Sequence, residues 1–260
     1  YEWIGKYRIV DCSCSGCVHA GCYQDETKGK EMKKIVGVLG VAFCLMLAGC
    51  ASQKQDTIEK RNTDISKELT YDHSMELEYA KQFAVDYYQD DYALVTIADD
   101  GKYLIVPEGE SVPEDMDKDI TVLQQPIQNI YLAASAAMDM FVATDALDAV
   151  RFSSLKADGW YIEEAKKAME DGDIIYAGKY SAPDYEMILN ENCGLAIENT
   201  MILHTPEVKE QMEKFNIPVL VDHSSYETNP LGRTEWVKLY GLLTGHEDQA
   251  EQAFGAEAKA

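Results

Sequence analysis

Cysteine is nearly missing from the body of this chain. Six of its seven cysteines precede Ala51, leaving Cys193 alone beyond that point. One thiol builds no disulfide framework, so stability must come from packing. Phenylalanine is also sparse, with 6 residues against 16 tyrosines. That bias suits amphipathic or binding surfaces, although tyrosine is equally ordinary in cores and edge strands. Positive charge is short: 23 Lys and Arg face 46 Asp and Glu, for a formal net charge of −23. Phosphate backbones and anionic headgroups repel such a chain, which excludes nucleic acid as a partner. No G-x-S-x-G elbow, P-loop, strand-following G-x-G-x-x-G or H-E-x-x-H is present, so the familiar hydrolase, nucleotide and zincin chemistries have no signature here. The apolar run Ile35–Leu47 falls short of the roughly 20 residues that cross a bilayer.

That run has the make-up of a secretory signal. Met32, Lys33 and Lys34 lead into it, and Leu47-Ala48-Gly49-Cys50 closes it. The ending resembles a bacterial lipobox, a signal whose cysteine is acylated and becomes the mature N-terminus. Cys50 is therefore the expected lipidation site, with the protein anchored on the extracytoplasmic side of a bacterial cell membrane. A single acyl chain holds only marginally, so anchoring needs more than one. Residues 1–31 read as upstream reading frame, with 32–49 as the signal. Lys28-Gly29-Lys30-Glu31 can be written in purine-only codons, as a ribosome-binding site would be. Cys12, Cys14, Cys17 and Cys22 are spaced C-x-C-x2-C-x4-C, which fits no closed zinc pattern, so no metal site is expected.

Downstream, 50–75 is polar and aperiodic and predicts a flexible tether. A β-hairpin segment, 76–124, follows. Phe83–Tyr88 and Tyr92–Ala98 read as strands, Asp99-Asp100-Gly101 as a turn, and Lys102–Pro107 and Ile120–Leu123 as further strands. From 125 to 231 strand and helix alternate. Strands are expected at 129–133, 150–153, 173–177, 195–197 and 217–222, with helices at 135–147, 161–169, 184–191 and 205–215. Thr205-Pro206 marks a helix start, and Asp171-Gly172 a helix stop. This alternation predicts an α/β fold, a parallel sheet with helices on both faces. Residues 232–260 carry a long helix pattern interrupted by Gly241 and Gly245.

Open α/β sheets bind ligands beyond the carboxyl ends of their strands. The loops there supply Ser135, Lys156, Trp160, Tyr161, Lys179, Tyr180 and Tyr226. They form a candidate rim for a large ligand having anionic and apolar parts. His223 with Glu227 is the one His–carboxylate arrangement placed for acid–base work, although a surface histidine is the commoner case. Two candidate histidines, His204 and His223, are too few for a metal-only binding site.

Four stretches in order resemble the solute-binding lipoproteins of bacterial ABC importers for iron–siderophores, haem and cobalamin. They are IYLAASAAMDMFVATDALDAV (130–150), DYEMILNENCGLAI (184–197), TPEVKEQMEKFNIPVLV (205–221) and SYETNPLGRTEWVKLYGLLTG (225–245). The resemblance implies two α/β lobes joined by a long helix, of which this chain would hold the N-terminal lobe and the helix start. It implies a monomeric carrier with no intrinsic cofactor, delivering an iron–siderophore, haem or corrinoid-like ligand to a membrane permease. Glu186 matches an acidic residue that docks on permease arginines in that family. The resemblance also places Tyr226, Glu227 and Arg233 at the entry to the connecting helix, lining the cleft, the alternative for Arg233 being an ion pair with a nearby acid. Segment 76–124 is additional to the pattern. The competing readings are an exported hydrolase-type enzyme using His223 and Glu227, and a purely adhesive surface lipoprotein.

Overall fold

A computed structural model describes residues 62–260. The upstream stretch, the signal and Cys50 lie outside the described residues. Two five-stranded sheets form the body. The first is mixed and runs in chain order: β1 (Tyr71–Ser74), β2 (Phe83–Tyr88), β3 (Ala93–Ile97), β4 (Gly101–Val106) and β5 (Ile120–Gln124). Its first three pairings are antiparallel, and β4 pairs with β5 in parallel. The second comprises β6 (Ile130–Leu132), β7 (Val150–Ser153), β8 (Ile175–Tyr176), β11 (Ala196–Asn199) and β12 (Val219–Asp222), all parallel, in the order β12-β11-β6-β7-β8. Between β8 and β11 a small hairpin pairs β9 (Gly178–Lys179) with β10 (Ala182–Pro183).

The helices are α1 (Ala137–Ala143), α2 (Glu163–Asp171), α3 (Tyr185–Asn190), α4 (Pro206–Lys214), α5 (Pro230–Glu235), α6 (Val237–Thr244) and α7 (Glu247–Glu257). Ile188 of α3 with Val208 and Met212 of α4 covers one face of the parallel sheet, over Tyr131, Phe152, Ala196 and Val221. Met138 and Phe141 of α1 with Trp236, Leu239, Tyr240 and Leu243 pack on its other face, over Ile130, Leu132, Ile197 and Leu220. The expected parallel sheet flanked by helices on both faces is thus what forms. Phe83, Val85, Val95, Ile97, Tyr103 and Ile105 of the mixed sheet join the second of these cores. The alternate residues Tyr88, Leu94, Leu104 and Val106 form a separate cluster with Ile65. A sheet buried on both faces explains why β2–β4 read as nearly continuous apolar runs. Each fully buried Leu, Ile or Phe contributes about 1.5–3 kcal/mol.

Several expectations are corrected. The part of the tether within the described residues is packed: Ile65 is buried and Tyr71–Ser74 pairs with β2. The hairpin segment 76–124 supplies four strands, β2–β5, of a five-stranded sheet that β1 completes. α1 is shorter than the 135–147 pattern because Thr144 donates its hydroxyl to the Met140 carbonyl at 2.9 Å and Asp145 turns to positive φ. Thr205 precedes α4, but its hydroxyl bonds back to the Ile202 carbonyl and does not cap the helix. The terminal helix pattern breaks into three. Gly245 reverses the chain at φ +72, and a Cβ on Gly241 would lie 2.5 Å from that of Ala250. α7 therefore folds back against α6, where one continuous helix was expected.

Buried carboxylates join the mixed sheet to the α/β layer. Glu235 accepts backbone N–H bonds from Glu78, Tyr79 and Ala80 at 2.8–3.0 Å. Glu227 accepts from Lys81 and Gln82 at 2.9 Å and from the Trp236 indole at 3.1 Å. At the sheet edge, Asp100 accepts from the Val221 N–H at 3.2 Å and pairs with Lys209 at 2.6 Å. Tyr103 donates to the Val219 carbonyl at 2.8 Å. An edge strand left with free peptide groups invites foreign pairing, and β12 has these partners instead. Replacing Glu235 by alanine strands three N–H groups and leaves the nearly buried Lys238 with Glu251 as its one carboxylate partner among the described residues. It should cost about 3 kcal/mol or more. Urea unfolding that shows less than about 1 kcal/mol would contradict the clamp.

Candidate functional site

In the parallel sheet the chain leaves β6 for β7 on one side and returns to β11 on the other. The strand order reverses at β6, and a crevice opens there at the carboxyl ends, where open α/β sheets bind ligands. A cavity of about 410 Å³ occupies that place. Ala133 and Ser135 line it from the end of β6, and Ser154, Leu155, Lys156 and Asp158 from the end of β7. Tyr176 of β8, Lys179 and Tyr180 of the β9–β10 hairpin, and Asn199 at the end of β11 complete the wall.

Local bonding fixes these positions. The Asn199 amide donates to the Ala133 carbonyl at 3.1 Å, tying β6 to β11 across the reversal, and its oxygen accepts from Met201 N–H at 2.8 Å. The Ser153 hydroxyl gathers the loop after β7. It donates to the Leu155 carbonyl at 2.7 Å and accepts from the Leu155 N–H at 3.0 Å and the Trp160 indole at 3.1 Å. The Lys156 ammonium lies 5.5 Å from the Tyr176 ring centroid, a cation–π distance. Gly178 starts the hairpin at φ +85, and a Cβ there would lie 2.4 Å from the Ala182 carbonyl. Only glycine fits that turn. Two ammonium groups against one carboxylate, set among tyrosine rings, favour a ligand with anionic groups and flat apolar parts.

Of the residues expected from the sequence, Ser135, Lys156, Lys179 and Tyr180 come together on this cavity. Trp160 does not reach it: the ring is buried and packs below the loop. Tyr161 is 96% exposed, outside the lining. Tyr226 is exposed beside the His223 ring, centroids 5.5 Å apart. Arg233 donates to the Ser225 and Glu227 carbonyls at 3.2 and 3.4 Å, bracing the turn into α5. Glu186 stands exposed on the first turn of α3. The lining residues Ser154, Asp158, Tyr176 and Asn199 sit on or beside the same strand ends. Their place at or just after a strand end was the available signal.

His223 and Glu227 are not assembled as an acid–base pair. Glu227 is engaged by the N–H donors of the clamp. His223 is buried and its Nε2 has no hydrogen-bond partner. Burial lowers its pKa, against the opposing pull of Asp100 and Asp222. Among the described residues no three metal-ligating side chains converge, and no helix is long and apolar enough to cross a membrane.

No family model matches the chain. An uncharacterized lipoprotein of Methanocaldococcus jannaschii, MJ0878, is 24% identical over 254 residues, covering 86% of this chain and 60% of its own length. A second from the same organism, MJ0872, is 20% identical over 221 residues, covering 81% of this chain and 55% of its own. The chain thus spans little more than half the length of these curated relatives. Among solved structures, the siderophore-binding protein BauB, in complex with two molecules of acinetobactin and ferric iron, overlaps 51% of this chain and 45% of its own. The TM-score is 0.41 at 16% identity.

One further group lies behind the cavity wall, next in the chain to Asn199. Glu198 of β11 is fully buried, and neither carboxylate oxygen has a hydrogen-bond partner. Burial pushes its pKa up to about 8. The folded chain then keeps a proton that the unfolded chain releases near the ordinary glutamate value of 4.5. Its stabilising contribution is full below that lower value and is lost as pH rises through about 8. Glu198→Gln should flatten the fall in melting temperature across that window. An unchanged pH profile in the variant would show the carboxyl to be ionised or solvated.

Proposed function

We propose that this chain is the N-terminal lobe of a lipid-tethered capture protein on the extracytoplasmic face of a bacterial membrane. It takes up a solute and delivers it to an ABC-type permease without covalent chemistry. The observation that carries this reading is the cavity at the strand-order reversal, with Lys156 and Lys179 placed among Tyr176 and Tyr180. An anionic chelate suits that wall: the carboxylates or phenolates of a siderophore meet the ammonium groups, and its rings or aliphatic arms meet the tyrosines. Haem, with its propionates, and corrinoids share the combination of polar edge and apolar body. Any iron or cobalt would arrive with the ligand, since the cavity wall itself presents no metal-ligand set.

The tether reading rests on the Leu47-Ala48-Gly49-Cys50 ending, and the lipoprotein names of the two archaeal relatives agree with it. A second lobe, expected from the resemblance, would close the cavity from above. Glu186, exposed on α3, is the proposed contact for permease arginines. The protein is proposed to act as a monomer.

The test is titration of the complete protein with ferric citrate, a ferric hydroxamate, haemin and cyanocobalamin, followed by quenching of tryptophan fluorescence. Saturable binding to at least one is expected. For an anionic probe, Lys156→Ala and Lys179→Ala should each weaken binding about tenfold, with larger losses at low salt. No saturable binding by the complete protein to any of these probes would overturn the proposal.

A further inference from the structure

Beneath the hairpin that carries Lys179 and Tyr180 lies a polar arrangement that the capture reading does not use. Tyr131 is buried in β6, and its hydroxyl donates to the Gly178 carbonyl at 3.1 Å, at the base of the hairpin. The register pairs Ala196 of β11 with Tyr131 and Ile197 with Leu132. Glu198 is therefore the next residue along β11 on the face that Ala196 and Tyr131 share, one step nearer the cavity. Its strand neighbour toward β12 is Val221. The Glu198 charge is the main electrostatic influence on the Tyr131 hydroxyl after burial itself. One carboxyl thus sits without a partner beside a hydroxyl already committed to a peptide carbonyl.

We infer that Glu198 and Tyr131 form a proton-operated latch on the Gly178–Pro183 hairpin. While Glu198 keeps its proton it needs no strong donor, and the Tyr131 hydroxyl stays on Gly178. When that proton passes to solvent, the new carboxylate is a much stronger acceptor than a peptide oxygen. It lies in an apolar layer where an unpaired charge is costly. The Tyr131 hydroxyl turns to it, and the hairpin base loses one of its ties, keeping the backbone bonds of Asp184 to Ala177 and of Ala177 to Ser153. The other ionisable groups of this layer do not offer the carboxylate a cation. Tyr185 approaches from α3 and Tyr176 from β8, the Cys193 thiol lies near Tyr131, and Glu207 of α4 lies near Tyr185. Burial holds the Tyr131, Tyr185 and Cys193 groups in their protonated forms.

The hairpin holds two of the cavity's wall residues, so its release loosens the proposed ligand site. That consequence rests on the capture reading, whereas the latch itself does not. The decisive experiment therefore needs no ligand. Amide hydrogen exchange at 178–184 is measured on the complete protein from about pH 6 to about pH 9 and corrected for intrinsic rates. The expected result is a fall in protection of up to about tenfold as one hydrogen bond is given up. Glu198→Gln should keep the high protection throughout, and Tyr131→Phe should show the low value at every pH. In the wild type, the ¹³C shift of the Glu198 carboxyl should move over the same pH range, a readout that survives if either variant fails to fold. Constant protection in the wild type, or a carboxyl shift already complete below about pH 6, would overturn the latch. The same pH-dependent fall in Glu198→Gln would overturn it too. A protein that passes these tests yet binds none of the probes would refute the capture reading alone.

Discussion

Carboxylates buried where two sheets meet hold this molecule together. A parallel sheet can bury both faces with helices alone, but here one of its cores is shared with a second, mixed sheet. Apolar contact between them has no preferred orientation. Glu227 and Glu235 supply direction by taking the N–H groups of residues 78–82, the link between β1 and β2. Asp100 and Tyr103 do the same at the open edge of β12. In such a fit the carboxylates are stabilising because peptide donors satisfy them. Removing one leaves several groups orphaned at once. This explains how the chain tolerates these two buried acids, and why Glu227 is occupied and unavailable for chemistry.

With the layers fixed, the reversal of strand order at β6 places a crevice at one end of the parallel sheet. The small hairpin after β8 reaches over it. Asn199 ties the two strands that flank the reversal, and Ser153 folds the neighbouring loop so that Lys156 faces inward. Positively charged groups are scarce in this protein, and two of them line one cavity. The acidity elsewhere on the surface repels anions in general, so a local pair of lysines distinguishes this cavity as the place proposed for an anionic ligand.

Much of this was readable from residues alone. The alternation of short apolar strands with amphipathic helices after Gln125 gave the α/β sheet, because burial on both faces leaves near-continuous apolar runs in the strands. Asp99-Asp100-Gly101 gave the β3–β4 turn, and Gly172 the stop of α2. Half of the expected rim followed from its position after a strand. The rest depended on side-chain direction, which strand position does not carry. Trp160 and Tyr161 are neighbours, yet the indole is drawn under the loop by Ser153 while the phenol faces solvent. Arg233 looked like a ligand group but braces backbone carbonyls. The mixed sheet goes beyond the expected hairpin because the β4–β5 pairing is parallel and spans the acidic loop 108–119, which local patterns do not reveal. The break at Gly245 was visible as a glycine, but the backward packing of α7 depends on the absence of a side chain at Gly241 opposite Ala250.

The central claim is that an anionic solute sits at the strand-order reversal. Amide chemical-shift mapping of the complete protein, titrated with gallium citrate as a diamagnetic analogue of the ferric complex, tests it most directly. Saturable shifts centred on 133–135, 154–158, 176–180 and 199 are expected. Shifts scattered over the surface, or centred on the mixed sheet with these segments unmoved, would contradict it.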